Sequence, residues 1–202
     1  MRNLCCLIVL LLATCAWPQS SQPVVVVAPS KQAIDSVWWA KTEVGERSGF
    51  INGASDCLTW TAHKKGFNAT PEQIMDKIDK YCKTHPGSAS LSVIDVWQKV
   101  IDYSKTDKAT SDPGETWSNT HWYLNDEWWG QIYEPEQLGF IEGYLWCLRT
   151  QVSAPTESYT RSASFYRRKI DAFVRANPKL SKESVADTLH RFRDKDVVVA
   201  PK

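Results

Sequence analysis

The sequence predicts an all-α protein made of two tandem three-helix units, and three observations predict it. Trp38-Trp39, then Gly49-Phe50-Ile51-Asn52-Gly53, return ninety residues downstream as Trp128-Trp129, then Gly139-Phe140-Ile141-Glu142-Gly143. In the same register Glu46, Cys57 and Leu58 return as Glu136, Cys147 and Leu148, and a fixed period marks a repeated structural unit. Apolar residues also recur at three- and four-residue steps in both copies, which is the helical period. Finally, a capping box, Thr70-Pro71-Glu72-Gln73, stands directly ahead of one such stripe. The expected divisions are a signal peptide at 1–19, a leader at 20–35, unit one at 36–103, an inter-repeat loop at 104–126, unit two at 127–196 and a tail at 197–202.

The chain opens with Arg2 and an apolar run from Leu4 to Ala16, the length of a secretory signal and short for a spanning helix. Cleavage after Ala16 or near Ser20 fits. The alternative is a lipid anchor at Cys15, against which Thr14 stands as a poor preceding residue. Export to the periplasm or beyond is therefore expected. Val24 to Val27 in the leader and Val197 to Val199 in the tail are β-branched runs. They could pair as a short β-ribbon between the termini, or lie as two loose ends.

A helix is expected from Glu46 to about Lys65, with Gly49 and Gly53 on one face. Each glycine costs about 1 kcal/mol relative to alanine in a helix interior. Their presence in both copies therefore points to close backbone approach, by a crossing helix more than by a ligand. The next helix starts at Thr70, with Pro71 at its first position, and carries Ile74, Ile78, Tyr81 and Cys82 as one stripe up to His85-Pro86-Gly87. A third follows Ser90, with Val93, Ile94, Trp97, Val100 and Ile101 as its buried face. Residues 104–126 are polar and turn-rich, yet carry Trp117, His121, Trp122 and Tyr123. In the second unit Tyr166, Ile170, Phe173 and Val174 repeat the stripe of the capped helix. Val185, Leu189 and Phe192 repeat that of the last, with Ser181 as its expected cap.

Cys57, Cys82 and Cys147 lie outside the signal, in a compartment that permits disulfides. Consecutive antiparallel helices would bring Cys57 to Cys82, and the position of Cys82 in the second unit is Val174. The expected bond is Cys57–Cys82, with Cys147 buried and free; a reactive or intermolecular Cys147 is the alternative.

Composition narrows the function. Lys and Arg number 24 against 23 Asp and Glu, a balance without the positive excess that nucleic-acid or polybasic membrane binding needs. His63, His85, His121 and His190 form no zinc spacing, and no HExxH, GxSxG, phosphate-loop or dinucleotide fingerprint is present. Asp126-Glu127 ahead of Trp128-Trp129 has the look of an aromatic-lined sugar site, but adjacent carboxylates do not converge on one bond. Trp38, Trp39, Trp128 and Trp129 read as packing residues. No catalytic residue, metal ligand or cofactor is assigned. Trp117, His121, Trp122 and Tyr123, on a loop carried by a rigid scaffold, are the expected contact residues.

Gly49-Phe50-Ile51-Asn52-Gly53-Ala54-Ser55-Asp56-Cys57, the capped helix from Thr70, and Thr84-His85-Pro86 together resemble the Rap/Tai family of periplasmic immunity proteins. The resemblance covers about 46–103 well and 136–194 more faintly, and departs in having two units and in Asn177-Pro178 where the first has His85-Pro86. It implies a small exported helical protein that binds and inhibits a cell-wall amidase toxin, with no contact residue carried over by position. The expected function is thus a non-enzymatic protein-binding module with an amidase-type effector as partner. The alternatives are an envelope glycan-binding protein or hydrolase, or an envelope structural factor.

Overall fold

Asp35 starts the first helix, its carboxylate accepting from the backbone N–H of Val37 and Trp38. This computed structural model describes residues 34–62, 69–100, 120–152, 159–180 and 182–194, omitting the side chains of Thr120 and Trp122. The described residues are mostly helical and contain no strand, so the chain is all-α there. The leader, the tail and the β-ribbon expected between them lie outside the described residues.

In chain order the helices are α1 (Ser36–Lys41), α2 (Val44–Asp56), α3 (Pro71–Thr84), α4 (Val93–Val100), α5 (Thr120–Tyr123), α6 (Asp126–Gln131), α7 (Glu134–Gln151), α8 (Ala163–Ala176) and α9 (Val185–His190). Cys57–Thr61 prolongs α2 as a π turn, in which the Ala62 N–H donates to the Cys57 carbonyl, 2.8 Å. Thr70 caps α3 with the expected box: its hydroxyl accepts from Gln73 N, and the Gln73 side chain accepts from Thr70 N. The cap of α9 is Ser184 rather than Ser181, which lies outside the described residues; the Ser184 hydroxyl accepts from Asp187 N, one turn closer to the apolar stripe. Each Trp-Trp pair sits on a short helix of its own, α1 or α6, which the sequence reading did not anticipate.

The centre of the molecule is the crossing of α2 and α7. A Cβ on Gly49 would meet the Glu136 carbonyl and the Phe140 N–H, and one on Gly53 the Phe140 carbonyl and the Tyr144 N–H. Reciprocally, a Cβ on Gly139 would meet the Glu46 carbonyl, and one on Gly143 the Phe50 carbonyl. The crossing helix expected from the glycines is therefore present, and it is α7. Residues 49–56 of α2 are buried on every side, which explains why that helix shows no clear apolar face in sequence. By contrast α3 and α8 lie outside and are amphipathic, burying Ile74 and Ile78, or Tyr166 and Ile170.

The disulfide joins Cys57 to Cys147, with a Cα–Cα separation of 6.0 Å, and Cys82 is the free thiol. This corrects the expected Cys57–Cys82 bond and the expected free Cys147. Cys57 and Cys147 each lie four residues beyond a crossing glycine, so the close approach of α2 and α7 places them within bonding reach.

Matching contacts surround this centre. Trp39 Nε1 donates to Asp79 Oδ1 (2.6 Å) and Trp129 Nε1 to Asp171 Oδ1 (2.8 Å). Trp38 packs on Phe50 and Trp128 on Phe140, both at 5.5 Å between ring centroids. The Val93 N–H donates to the Ile34 carbonyl, and Val185 N–H to Leu124, both at 2.8 Å. Those bonds tie the start of α1 to α4 and the start of α6 to α9. The Trp pairs are packing residues, as expected. One cluster of buried side chains runs through both segments, from Trp39 and Trp97 to Trp129 and Leu189.

Candidate functional site

Where α2 ends in its π turn, polar side chains from five parts of the chain meet. A π turn holds one residue more than an α turn, which breaks the regular spacing, and such turns recur at functional sites. Here Thr61 Oγ1 lies 2.8 Å from the Tyr144 hydroxyl of α7, and Trp60 lies flat over the His121 ring, with centroids 4.4 Å apart and planes within 10°.

His121, on α5, is 1% exposed. Its Nδ1 donates to Asp56 Oδ1 at 2.8 Å, and Nε2 lies 3.6 Å from Asp187 Oδ2 on α9. Burial by itself would push the imidazole towards the neutral form. The hydrogen bonds and charges of Asp187 and Asp56 outweigh it and hold the His121 pKa up at about 9. Asp187 is held low chiefly by its bond to His121, while burial pushes Asp56 up against the pull of the same ring. With its pKa at about 9 the ring is protonated at neutral pH, facing the carboxyl groups of Asp56 and Asp187.

Beside this clamp, His190 at the end of α9 bridges two hydroxyls, Tyr144 at Nε2 and Tyr159 at Nδ1, both at 2.8 Å. Tyr144 also contacts Thr61, so hydroxyl, hydroxyl, imidazole and hydroxyl follow one another from the π turn of α2 to residue 159. Asp194 accepts from the backbone and hydroxyl of Thr160, both at 2.7 Å.

A protonated His121 cannot accept a proton, so it is no general base at neutral pH. Asp126 is 2% exposed, accepts from the Thr188 hydroxyl at 3.2 Å, and has its carboxyl pushed up to about 6 by burial. Glu127 faces solvent, so the two neighbouring carboxylates point to different surroundings. Among the described residues no group of three or more His, Cys, Asp or Glu could hold a metal ion, and no helix is long and apolar enough to cross a membrane.

Of the residues expected to contact a partner, Tyr123 is 71% exposed. His121 is a correction: its side chain is inside, because two carboxylates compensate the burial of its charge. Trp117 lies outside the described residues, and of Trp122 only the backbone is described. Trp60 was not foreseen; it is 40% exposed and covers the clamp. Asp187, Tyr144 and Tyr159 were also missed. The available signal was Asp56: a carboxylate in a stretch that the glycines and apolar residues bury on all sides needs a cationic partner somewhere in the chain.

No protein-family profile, curated protein or solved structure matches this chain.

Proposed function

We propose that the chain is an exported, non-catalytic protein-binding module that engages its partner at the corner formed by Trp60 and Tyr123. One observation carries the reading. The histidine and carboxylates that could have made a catalytic centre are instead spent holding α5 in place, while two aromatic side chains stay exposed beside them, Trp60 over the His121 ring and Tyr123 two residues along α5. Large aromatic side chains on a rigid support are the usual anchors of protein interfaces. The Cys57–Cys147 bond is compatible with an oxidising compartment, although a disulfide does not decide localisation by itself.

The immunity-protein resemblance supplies the class of partner, a cell-wall amidase-type effector that the module would inhibit. The duplicated scaffold belongs to the same reading. Residues ninety apart bond to one another at Cys57–Cys147 and make reciprocal contacts at the glycine crossing, as two copies of one unit packed face to face would. The glycan-binding and hydrolase alternatives have less support, since Trp39 and Trp129 are buried and Asp126 is enclosed.

The test is capture from envelope extract with the oxidised mature chain, followed by a peptidoglycan-hydrolysis assay on the captured protein. A wall amidase held in stoichiometric amount and inhibited, and released by the double variant Trp60→Ala/Tyr123→Ala with helicity unchanged, supports the reading. Retention of glycan fragments alone, or a captured hydrolase that stays fully active, overturns it.

A further inference from the structure

A second surface lies at the opposite end of α2, about 20 Å from the π turn at 1.5 Å per residue. There α1, the first turn of α2 and the last turn of α3 enclose a cleft of about 550 Å³, continued by Pro86 and Ala89. The buried Trp39 forms part of its wall, with Val37, Ala40 and Pro86 adding apolar surface. We propose that this cleft docks an acidic segment of a protein partner, a run of Asp or Glu carrying one apolar anchor residue.

Charge identifies the occupant. Lys41, Arg47 and Lys83 all line the cleft, and Asp79 is the carboxylate among the residues that line it. Asp79 is already committed: the Arg47 guanidinium contacts both its oxygens, at 2.9 and 3.2 Å, and Trp39 Nε1 donates to it at 2.6 Å. Among the described residues, Lys41 and Lys83 make no ion pair, and both side chains are exposed. The lining therefore keeps a positive excess in a chain whose net charge is only +1. His85 is held within its own turn: its ring stacks on Tyr81 at 4.1 Å, with Nδ1 3.0 Å from the Tyr81 carbonyl.

Comparison with the second half of the chain separates scaffold from function. The Trp39–Asp79 bond is matched there by Trp129–Asp171, so that feature serves the fold. Of the cations, Lys83 has a counterpart in Arg175, whereas Lys41 and Arg47 have none. Gln131 stands at the position of Lys41, Gln137 at that of Arg47 and Asn177 at that of His85. Gln137 turns inward and donates to the Trp129 carbonyl at 3.0 Å. Arg167, which stands beside Asp171 as Arg47 stands beside Asp79, is held by Glu134 at 3.1 Å and Asp171 at 3.4 Å. A scaffold that folds with glutamines at two of these positions does not require the lysine and arginine of the first half. Arg47 is balanced by Asp79, so the charge left for a ligand is that of Lys41 and Lys83. An open cleft with apolar surface between cations suits an extended acidic peptide, whose carboxylates reach the lysines while its apolar side chain covers the groove.

Cys82 lines the same cleft as a free, half-buried thiol and serves as the reporter. The oxidised mature chain is treated with N-ethylmaleimide in the presence of a hexapeptide carrying Glu and Asp on either side of a central Leu-Phe. The control is the same peptide with lysine at every acidic position. The expected result is at least a three-fold slowing of Cys82 alkylation by the acidic peptide, relieved by salt and absent with the lysine peptide. Lys41→Glu/Lys83→Glu should weaken peptide binding at least ten-fold, measured by fluorescence anisotropy, whereas Trp60→Ala/Tyr123→Ala should leave it unchanged. This second variant separates failure here from failure of the Trp60–Tyr123 corner. Equal protection by both peptides, no protection at millimolar peptide, or shielding of Cys82 that disappears on dilution of the protein alone, which would mark a second copy in the cleft, each overturns the proposal.

Discussion

At the scale of single residues, the glycines of the α2–α7 crossing set the distance between the two helices. A methyl group on Gly53 would overlap the backbone of Phe140, and backbone cannot move aside as a flexible side chain can. Gly53→Ala is expected to destabilise the protein by roughly 3 kcal/mol or more, at the level of severe overpacking, read as a fall in the urea midpoint. Gly130, on α6, has open space around its Cα, and Gly130→Ala should be neutral or stabilise by up to about 1 kcal/mol. Equal effects of the two substitutions would show that helix propensity, not close approach, explains the glycines. The need for close approach at Gly49 and Gly53 was legible in the sequence, because the same costly residue stands twice on one helix face in both copies. The identity of the atoms approached was not, since no local pattern names a partner ninety residues away.

At the scale of elements, α5 is four residues long and too short to hold itself. Its fixed place comes from His121 inserted between Asp56 and Asp187. The folded-state pKa of His121, about 9, lies above its ordinary value of 6.5, so the clamp contributes fully below about pH 6.5 and is lost as pH rises through about 9. His121→Asn should therefore cost on the order of 3 kcal/mol at pH 6, the scale for breaking a buried pair, and clearly less at pH 9.5. Urea unfolding of both proteins at the two pH values measures this. A penalty that does not shrink would mean that His121 is neutral in the folded protein. Element boundaries followed the sequence where a cap announces them, as at Thr70, and departed from it at α9, where Ser184 rather than Ser181 is the cap. The short helices α1 and α6 escaped because six residues are too few to display a helical period, although Asp35 and Asn125 are ordinary N-cap residues.

At the scale of the whole molecule, the Cys57–Cys147 bond ties the first half of the chain to the second. Non-reducing peptide mapping should yield a peptide containing Cys57 joined to one containing Cys147, with Cys82 open to alkylation. Reduction should lower stability by about 4–5 kcal/mol, the loop-closure scale for a bridge spanning 90 residues; a Cys57–Cys82 peptide would refute this arrangement. The sequence by itself determined the helical class, the capping box at Thr70, the recurrence at ninety residues and the need for close packing at the glycines. All of these arise from interactions within one or two turns, or from the recurrence of residue types along the chain. Only the tertiary structure decided that α7 and not α3 lies against the glycine face of α2, that Cys57 meets Cys147, and that His121 turns inward while Tyr123 faces solvent. Those outcomes depend on which distant surfaces meet and which buried charges are compensated, and nothing in the local chain encodes that choice.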